Sequence, residues 1–172
     1  FFFSLMVGLG ETYFSAFAVF LGANNFQLSI LASLPTFLAG LVQFFTLRVL
    51  SFFKSRRLMA CTFTILQGLF FIPIFLTYYV SGIRIEILIF FVTIYAAVGH
   101  IIGPVWNSWI GDLVPTEQRG RYFGFRNQIM TLGTFLSMLA VGFVLRYYKS
   151  IHLELWGFLL IFMFAMLARF WS

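Results

Sequence analysis

Six apolar runs dominate the chain, at residues 1–21, 28–47, 58–80, 87–110, 127–145 and 153–170. A helix that crosses a bilayer needs about 20 mostly apolar residues, whereas a strand of a membrane barrel is about half as long and alternates in polarity. The runs match the first pattern, which predicts an all-α membrane protein built as a six-transmembrane-helix bundle. Composition matters here for what it excludes. Hydrophobic residues make up 62% of the chain and charged residues 9%, against about a quarter charged in a soluble domain. With 26 Phe among 172 residues there is too little polar surface to cover a water-soluble globule. The net charge of +6 fits basic loops at a membrane face, not a nucleic-acid footprint. The single Cys61 excludes an intrachain disulfide.

Orientation follows from the basic residues, which tend to stay on the cytoplasmic side. With the first helix running outward, the cytoplasmic face holds Arg48, Lys54, Arg56, Arg57, Arg119, Arg121, Arg126 and Arg169, and the outer face Arg84, Arg146 and Lys149. Both ends of the segment are then expected in the cytoplasm, with the protein in the cell membrane. The one strongly hydrophilic passage, 111–124, falls between the fourth and fifth runs and is expected to be a cytoplasmic loop. There Pro115 ends the preceding helix, and Gly120 and Gly124 permit close turns and close backbone packing. The chain opens on Phe1-Phe2-Phe3, with no basic region typical of a signal peptide, and stops at Trp171-Ser172 just after an apolar run. It is expected to be a piece of something longer.

Polar residues inside the runs mark candidate sites, because an intramembrane charge is costly unless it faces protein or water. In the first run Ser4, Gly8, Glu11, Thr12 and Ser15 recur at helical spacing on one face. Glu11 is either a proton-coupling or cation-binding group, or a neutral carboxyl hydrogen-bonded between helices. The second run carries Ser33, Thr36, Gly40 and Gln43, with Pro35 expected to kink it. Gly40 is read as a helix-packing residue, and Gln43 as a packing residue or a cavity contact. In the third run Thr62, Thr64, Gln67 and Pro73 are read as structural. The fourth run has Thr93, Ala96, His100, Gly103, Pro104 and Asn107 on a small, polar stripe. Pro104 frees a carbonyl one turn earlier, and His100 is a proton acceptor, a substrate contact or an interhelical bond partner. Trp106 is a cavity wall or an interfacial anchor. In the fifth run Thr134 joins the cavity candidates, while Arg126 snorkels to the interface or pairs with Asp112. Between Glu154 and Arg169 the sixth run has no polar residue stronger than Gly157 and is expected to face lipid. Stripes on the first and fourth runs, weaker on the second and fifth, predict one central cavity.

With these residues in place, the chain resembles the amino-terminal half of a major facilitator superfamily transporter. Pro115-x-x-x-Arg119-Gly120-x-x-x-Gly124 between the fourth and fifth spans carries the resemblance, together with Arg56-Arg57 between the second and third. Gly10-Glu11-Thr12-Tyr13, Gly22-Ala23-Asn24-Asn25 and Ser33-Leu34-Pro35 add to it. The family's loop between spans two and three reads Gly-x-x-x-Asp-Arg-x-Gly-Arg-Arg. This chain has Arg48, Phe52 and Ser55 where the family has the first Gly, the Asp and the later Gly, although Arg56 or Arg57 is still able to meet Asp112.

The resemblance implies a twelve-span fold, with a carboxy-terminal six-helix half beyond residue 172, and a small-molecule substrate bound between the halves. It implies secondary active transport by alternating access, with protons as the expected driving ion and no cofactor. Arg56, Arg57, Asp112, Arg119, Gly120, Gly124 and Arg126 would then form the cytoplasmic gating loops. A membrane-embedded enzyme using His100 and Glu11 as acid and base, or a six-span scaffold or channel subunit, are the alternatives. Neither a nucleophile nor a metal-ligand cluster is recognisable in the sequence, so catalysis is not expected.

Overall fold

The computed structural model describes residues 1–53 and 55–172. Among these the chain is all-helical. The first apolar run forms α1 (Phe2–Leu9), a 3-10 turn (Glu11–Tyr13) and α2 (Phe14–Phe20). Then come α3 (Asn25–Gln43), α4 (Thr46–Ser51), α5 (Arg56–Leu69), α6 (Phe71–Leu76), α7 (Arg84–Leu113), α8 (Arg119–Ser150) and α9 (Glu154–Phe170). Five stretches are long and apolar enough to cross a membrane: Phe2–Phe20, Asn25–Gln43, Arg56–Tyr79, Arg84–Leu113 and Thr116–Ser150. With 17 residues, α9 is about 26 Å long, at the short end of what spans a bilayer.

Local chemistry moves several boundaries. Helix α3 starts at Asn25 because Asn24 and Gln27 form a reciprocal cap, with bonds of 2.9 and 3.0 Å. Ser55 Oγ accepts from the Leu58 amide at 3.1 Å and fixes the start of α5. The passage read as a loop between spans two and three contains α4, and Lys54 there lies outside the described residues. Of the hydrophilic 111–124 passage only Val114 and Pro115 are not helical, because α7 runs to Leu113, a 3-10 turn covers Thr116–Gln118 and α8 begins at Arg119. Its turn is closed by Arg119, whose Nε donates to the Val114 carbonyl at 3.1 Å. Pro35 lies within an uninterrupted α3, whereas the helix breaks at Phe70, three residues before Pro73.

Helix α7 is central to one side of the bundle, with α3 and α5 packed along it. On the other side α1 packs against α8 and α9, and α9 also meets α5 and α6. Numbered by span, the closest pairings are two with four, one with five, three with four, one with six and three with six, while the weaker packing of span one on span two has no equally close counterpart between spans four and five. Exchanging the first three spans with the last three maps these five pairings onto themselves. The packing of α8 on α9 has no equally close counterpart between α3 and α5. An aromatic cluster ties the halves together. Phe14 and Phe71 meet the buried Tyr95 ring edge-on at 5.2 and 5.3 Å, and Phe17 contacts Phe158 and Phe162 at 5.1 and 5.2 Å. Each such pair adds about 0.5–1.5 kcal/mol beyond simple burial.

Two expectations about packing are overturned. The sixth span does not simply face lipid: Phe158, Ile161, Phe162, Ala165, Ala168 and Arg169 are buried on one face of α9. Only its opposite side, with Trp156, Met163 and Phe164, is outward. The glycines at 40, 120 and 124 are not close-packing residues either, since a Cβ built at each would meet nothing within 4 Å. The glycines at real contacts are others, among them Gly8, Gly10, Gly68 and Gly133.

Candidate functional site

The first span breaks where its carboxylate stands. Gly10 leaves the helical conformation at φ −122° and ψ −60°, and a 3-10 turn carries Glu11, Thr12 and Tyr13 before α2 begins. No side chain fits at Gly10, where a Cβ would come within 2.5 Å of the Phe71 ring and 2.7 Å of Ala165. Tyr13 Oη donates to the Met138 carbonyl of α8 at 2.6 Å and pins the turn across the bundle. A short 3-10 stretch inside a long helix is a common mark of a hinge or a site.

Glu11 lines an open cavity of about 480 Å³, together with Gln43 of α3, Gln67 of α5 and His100, Pro104 and Asn107 of α7. His100 Nδ1 lies 3.0 Å from the Ala96 carbonyl one turn earlier. Donation of its proton there leaves Nε2 as the ring's acceptor. Pro104 has no N–H, so the His100 carbonyl lacks its helical donor beside the same space. Tyr95 presents one hydroxyl proton to two acceptors, Met6 Sδ at 2.8 Å and Glu11 Oε2 at 3.4 Å. Gln67 is 3% exposed, its Nε2 reaches the Tyr95 carbonyl at 3.5 Å, and its Oε1 has no partner. The absence of a Cβ at Gly99 makes that position possible, since one would stand 2.4 Å from Gln67 Nε2.

A second cavity of about 390 Å³ adjoins the first and shares Phe3, Gly99, Gly103 and Asn107 with it. Trp106, Arg126 and Arg169 also line it. A third, wide opening of about 580 Å³ lies between the facing ends of α7 and α8, beside Asp112, Arg119 and Asn127.

The expected residues thus divide. Glu11, His100, Gln43 and Asn107 share one cavity, and Trp106 walls the next. Thr12 uses its hydroxyl on the Gly8 carbonyl at 3.2 Å, and neither it nor Ser15 lines any of the three cavities. Thr134 lies at the α1–α8 contact, where its Oγ1 donates to the Ser4 carbonyl at 3.3 Å, and it lines a separate open groove of about 550 Å³ beside Phe3, Asn127 and Met130, away from Glu11. Arg126 does not pair with Asp112. Its guanidinium lies 4.2 Å from the centre of the Trp106 ring, while Asp112 Oδ2 accepts from Arg56 Nη1 at 2.6 Å. The same Nη1 reaches Ser108 Oγ at 3.1 Å, which ties the start of α5 to the end of α7, whereas Arg57 is exposed.

The Arg56–Asp112 pair is exposed, so it contributes about 1 kcal/mol or less. Arg56→Asp or Asp112→Arg should each lower the thermal midpoint slightly, and the charge exchange should restore it. A corresponding exchange of Arg126 with Asp112 should rescue nothing, and rescue there would contradict the observed pairing.

Two further residues join the site: Gln67, read from the sequence as structural, lines the Glu11 cavity, and Arg169, read only as a basic residue of the cytoplasmic face, is 4% exposed. The signal was present: Phe158, Ile161, Phe162, Ala165, Ala168 and Arg169 fall at helical spacing on one face, which puts the arginine on the buried side. No protein-family model, curated protein or solved structure matches this chain.

Proposed function

We propose that this chain is the amino-terminal six-span half of a secondary active transporter of the major facilitator type, carrying a small solute across the cell membrane with proton coupling. The single observation that carries the reading is the break in the first span, which brings Glu11 into a cavity faced by His100, Gln43 and Asn107. Discontinuous helices with polar groups converging on a cavity are how transporters place substrate and coupling-ion sites inside a membrane. The exchange of pairings between the first three and last three spans supports it too, because nested three-helix repeats belong to that architecture. On this reading both ends are cytoplasmic, and a carboxy-terminal half covers the cavity face and rocks against it. Glu11 takes up and releases the proton, with His100 as its counterpart across the cavity. The partners are then solute, protons, lipid and the second half.

The test is solute-dependent proton flux in proteoliposomes of the full-length protein, with a panel of small solutes under an imposed pH gradient. Flux that follows one solute class supports proton-coupled transport. Silence from folded protein across the panel would overturn the proton-coupled reading. Cavity access is checked separately, in a Cys61→Ser background because Cys61 is exposed. Asn107→Cys should react with a membrane-impermeant thiol reagent, while Met163→Cys and Phe164→Cys on the outward apolar face of α9 should stay silent. The reverse pattern would remove the cavity assignment.

A further inference from the structure

The smaller cavity has a basic lining. Two guanidinium groups, Arg126 of α8 and Arg169 of α9, line it, and no carboxylate does. Both are held on aromatic rings: Arg126 lies 4.2 Å from the Trp106 ring centre, and Arg169 lies 5.1 Å from that of Phe3. Such stacking orients a guanidinium and offsets part of its desolvation, but a ring carries no countercharge. Arg169 is 4% exposed, yet it makes one side-chain hydrogen bond, from Nη1 to Ser172 Oγ at 3.0 Å, and its buried Nε has no partner. Among the described residues the ion pair is Arg56–Asp112, which involves neither arginine. Glu11 of the adjoining chamber acts on Arg169 through space but makes neither an ion pair nor a hydrogen bond with it, so the other donor groups of the guanidinium stay unfilled, which is costly for a buried charge.

The remaining wall is mostly apolar, with Phe2, Ile102 and Met130 beside Trp106 and with Thr64, Asn107 and Ser172 as its polar members, and a volume of about 390 Å³ suits a small organic molecule. The geometry points to a small organic anion as the solute. Its acidic group, carboxylate or phosphate, sits between Arg126 and Arg169 and its aromatic or aliphatic body lies on Trp106 and the neighbouring apolar side chains. This deepens the transport reading and rests on it for the word solute. The site itself requires only the two arginines and the cavity. Guanidinium groups suit either acid, since both accept paired N–H donors in a planar fork. Asn107 lines both cavities, so an anion bound here lies next to the Glu11 chamber. Co-transport of a proton with the anion would then keep the moving charge small.

The test uses purified full-length protein and matched probes that share one body: 3-phenylpropionate, phenyl phosphate, 3-phenylpropionamide and phenethylamine. Binding is read by quenching of Trp fluorescence and by thermal shift. At least one acid should bind about tenfold or more tightly than the amide, the effect of one charge-assisted hydrogen bond. Arg126→Gln and Arg169→Gln should remove that preference, while Arg126→Lys and Arg169→Lys should keep part of it. Because Arg169→Gln risks misfolding, the half-buried Arg126 supplies the deciding variant, with folding checked by size exclusion. Equal binding of acid and amide, tighter binding of the amine, no binding by either acid, or an unchanged preference in Arg126→Gln would each overturn the proposal. Acid binding without flux would keep this site and sink the transport reading. Proton-coupled flux of a neutral or cationic solute, indifferent to both substitutions, would do the opposite.

Discussion

Glu11→Gln in the full-length protein should abolish solute uptake driven by a pH gradient, a loss of about 100-fold or more if the carboxyl is the proton-transfer group, and leave solute-for-solute exchange in place. Glutamine has the shape of a protonated glutamate and keeps a carbonyl oxygen for the Tyr95 hydroxyl, which stands 3.4 Å from Glu11 Oε2. What it loses is the ability to release a proton. Driven uptake needs that release in each cycle, whereas exchange proceeds with the site permanently neutral. The position suits this role because the 3-10 turn opens the first span at Glu11, where the cavity gives the carboxyl a route to water. Without such a route an intramembrane carboxylate is held neutral by the cost of its charge. Tracer uptake and counterflow in the same proteoliposomes separate the outcomes. Driven uptake equal to wild type would remove Glu11 from coupling. Loss of exchange as well would make it a substrate ligand instead.

How much of this was legible in the sequence depends on the kind of information each feature needs. Helical class and span positions follow from hydropathy, which acts residue by residue, and the structure moves the ends by up to eight residues, the largest shift being the start of α8 and a smaller one being set by the cap of Asn24 with Gln27. The placing of Glu11, His100, Gln43 and Asn107 together followed from stripes at helical spacing, since a polar face in a membrane bundle must turn inward. Partner choice was not legible. Asp112 had three arginines within plausible reach, and the pairing with Arg56 depends on how far α5 and α7 extend beyond the apolar runs. Arg169 keeps its expected place near a span end, but that position alone says nothing of which way it faces. Its rotation around α9 put it inside. Glycines were the hardest to sort. A glycine in a sequence reads the same whether its missing Cβ makes room for a neighbour, as at Gly99, or faces open space, as at Gly120.

That last distinction yields the second large expected effect. Gly8→Ala should lower the thermal midpoint of the detergent-solubilised protein more than any other single glycine-to-alanine change on the α1–α8 contact. On α1, Ser4 and Gly8 are four residues apart and buried; on α8, Gly133 and Ser137 are likewise. Small residues at this spacing on both helices let two backbones approach, which in lipid is a main source of helix association. A Cβ on Gly8 would stand 2.6 Å from the Thr134 carbonyl oxygen and 3.2 Å from its Cα. Backbone atoms cannot rotate aside, so α1 must move away from α8, at a cost of about 1–3 kcal/mol. Across the same contact, a Cβ on Gly133 would meet Ser4 Oγ at 2.5 Å, and a hydroxyl can turn. Gly133→Ala should therefore cost less, and Gly103→Ala, which meets nothing within 4 Å, should cost nearly nothing. Equal melting of the Gly8 and Gly103 variants would contradict the close α1–α8 approach. The ranking bears on function as well as stability, because Glu11 follows Gly8 by less than one helical turn. Any displacement of α1 that admits the methyl group also moves the turn that holds the carboxylate. Folded Gly8→Ala protein should therefore lose driven uptake out of proportion to its loss of stability, whereas Gly133→Ala should lose the two together.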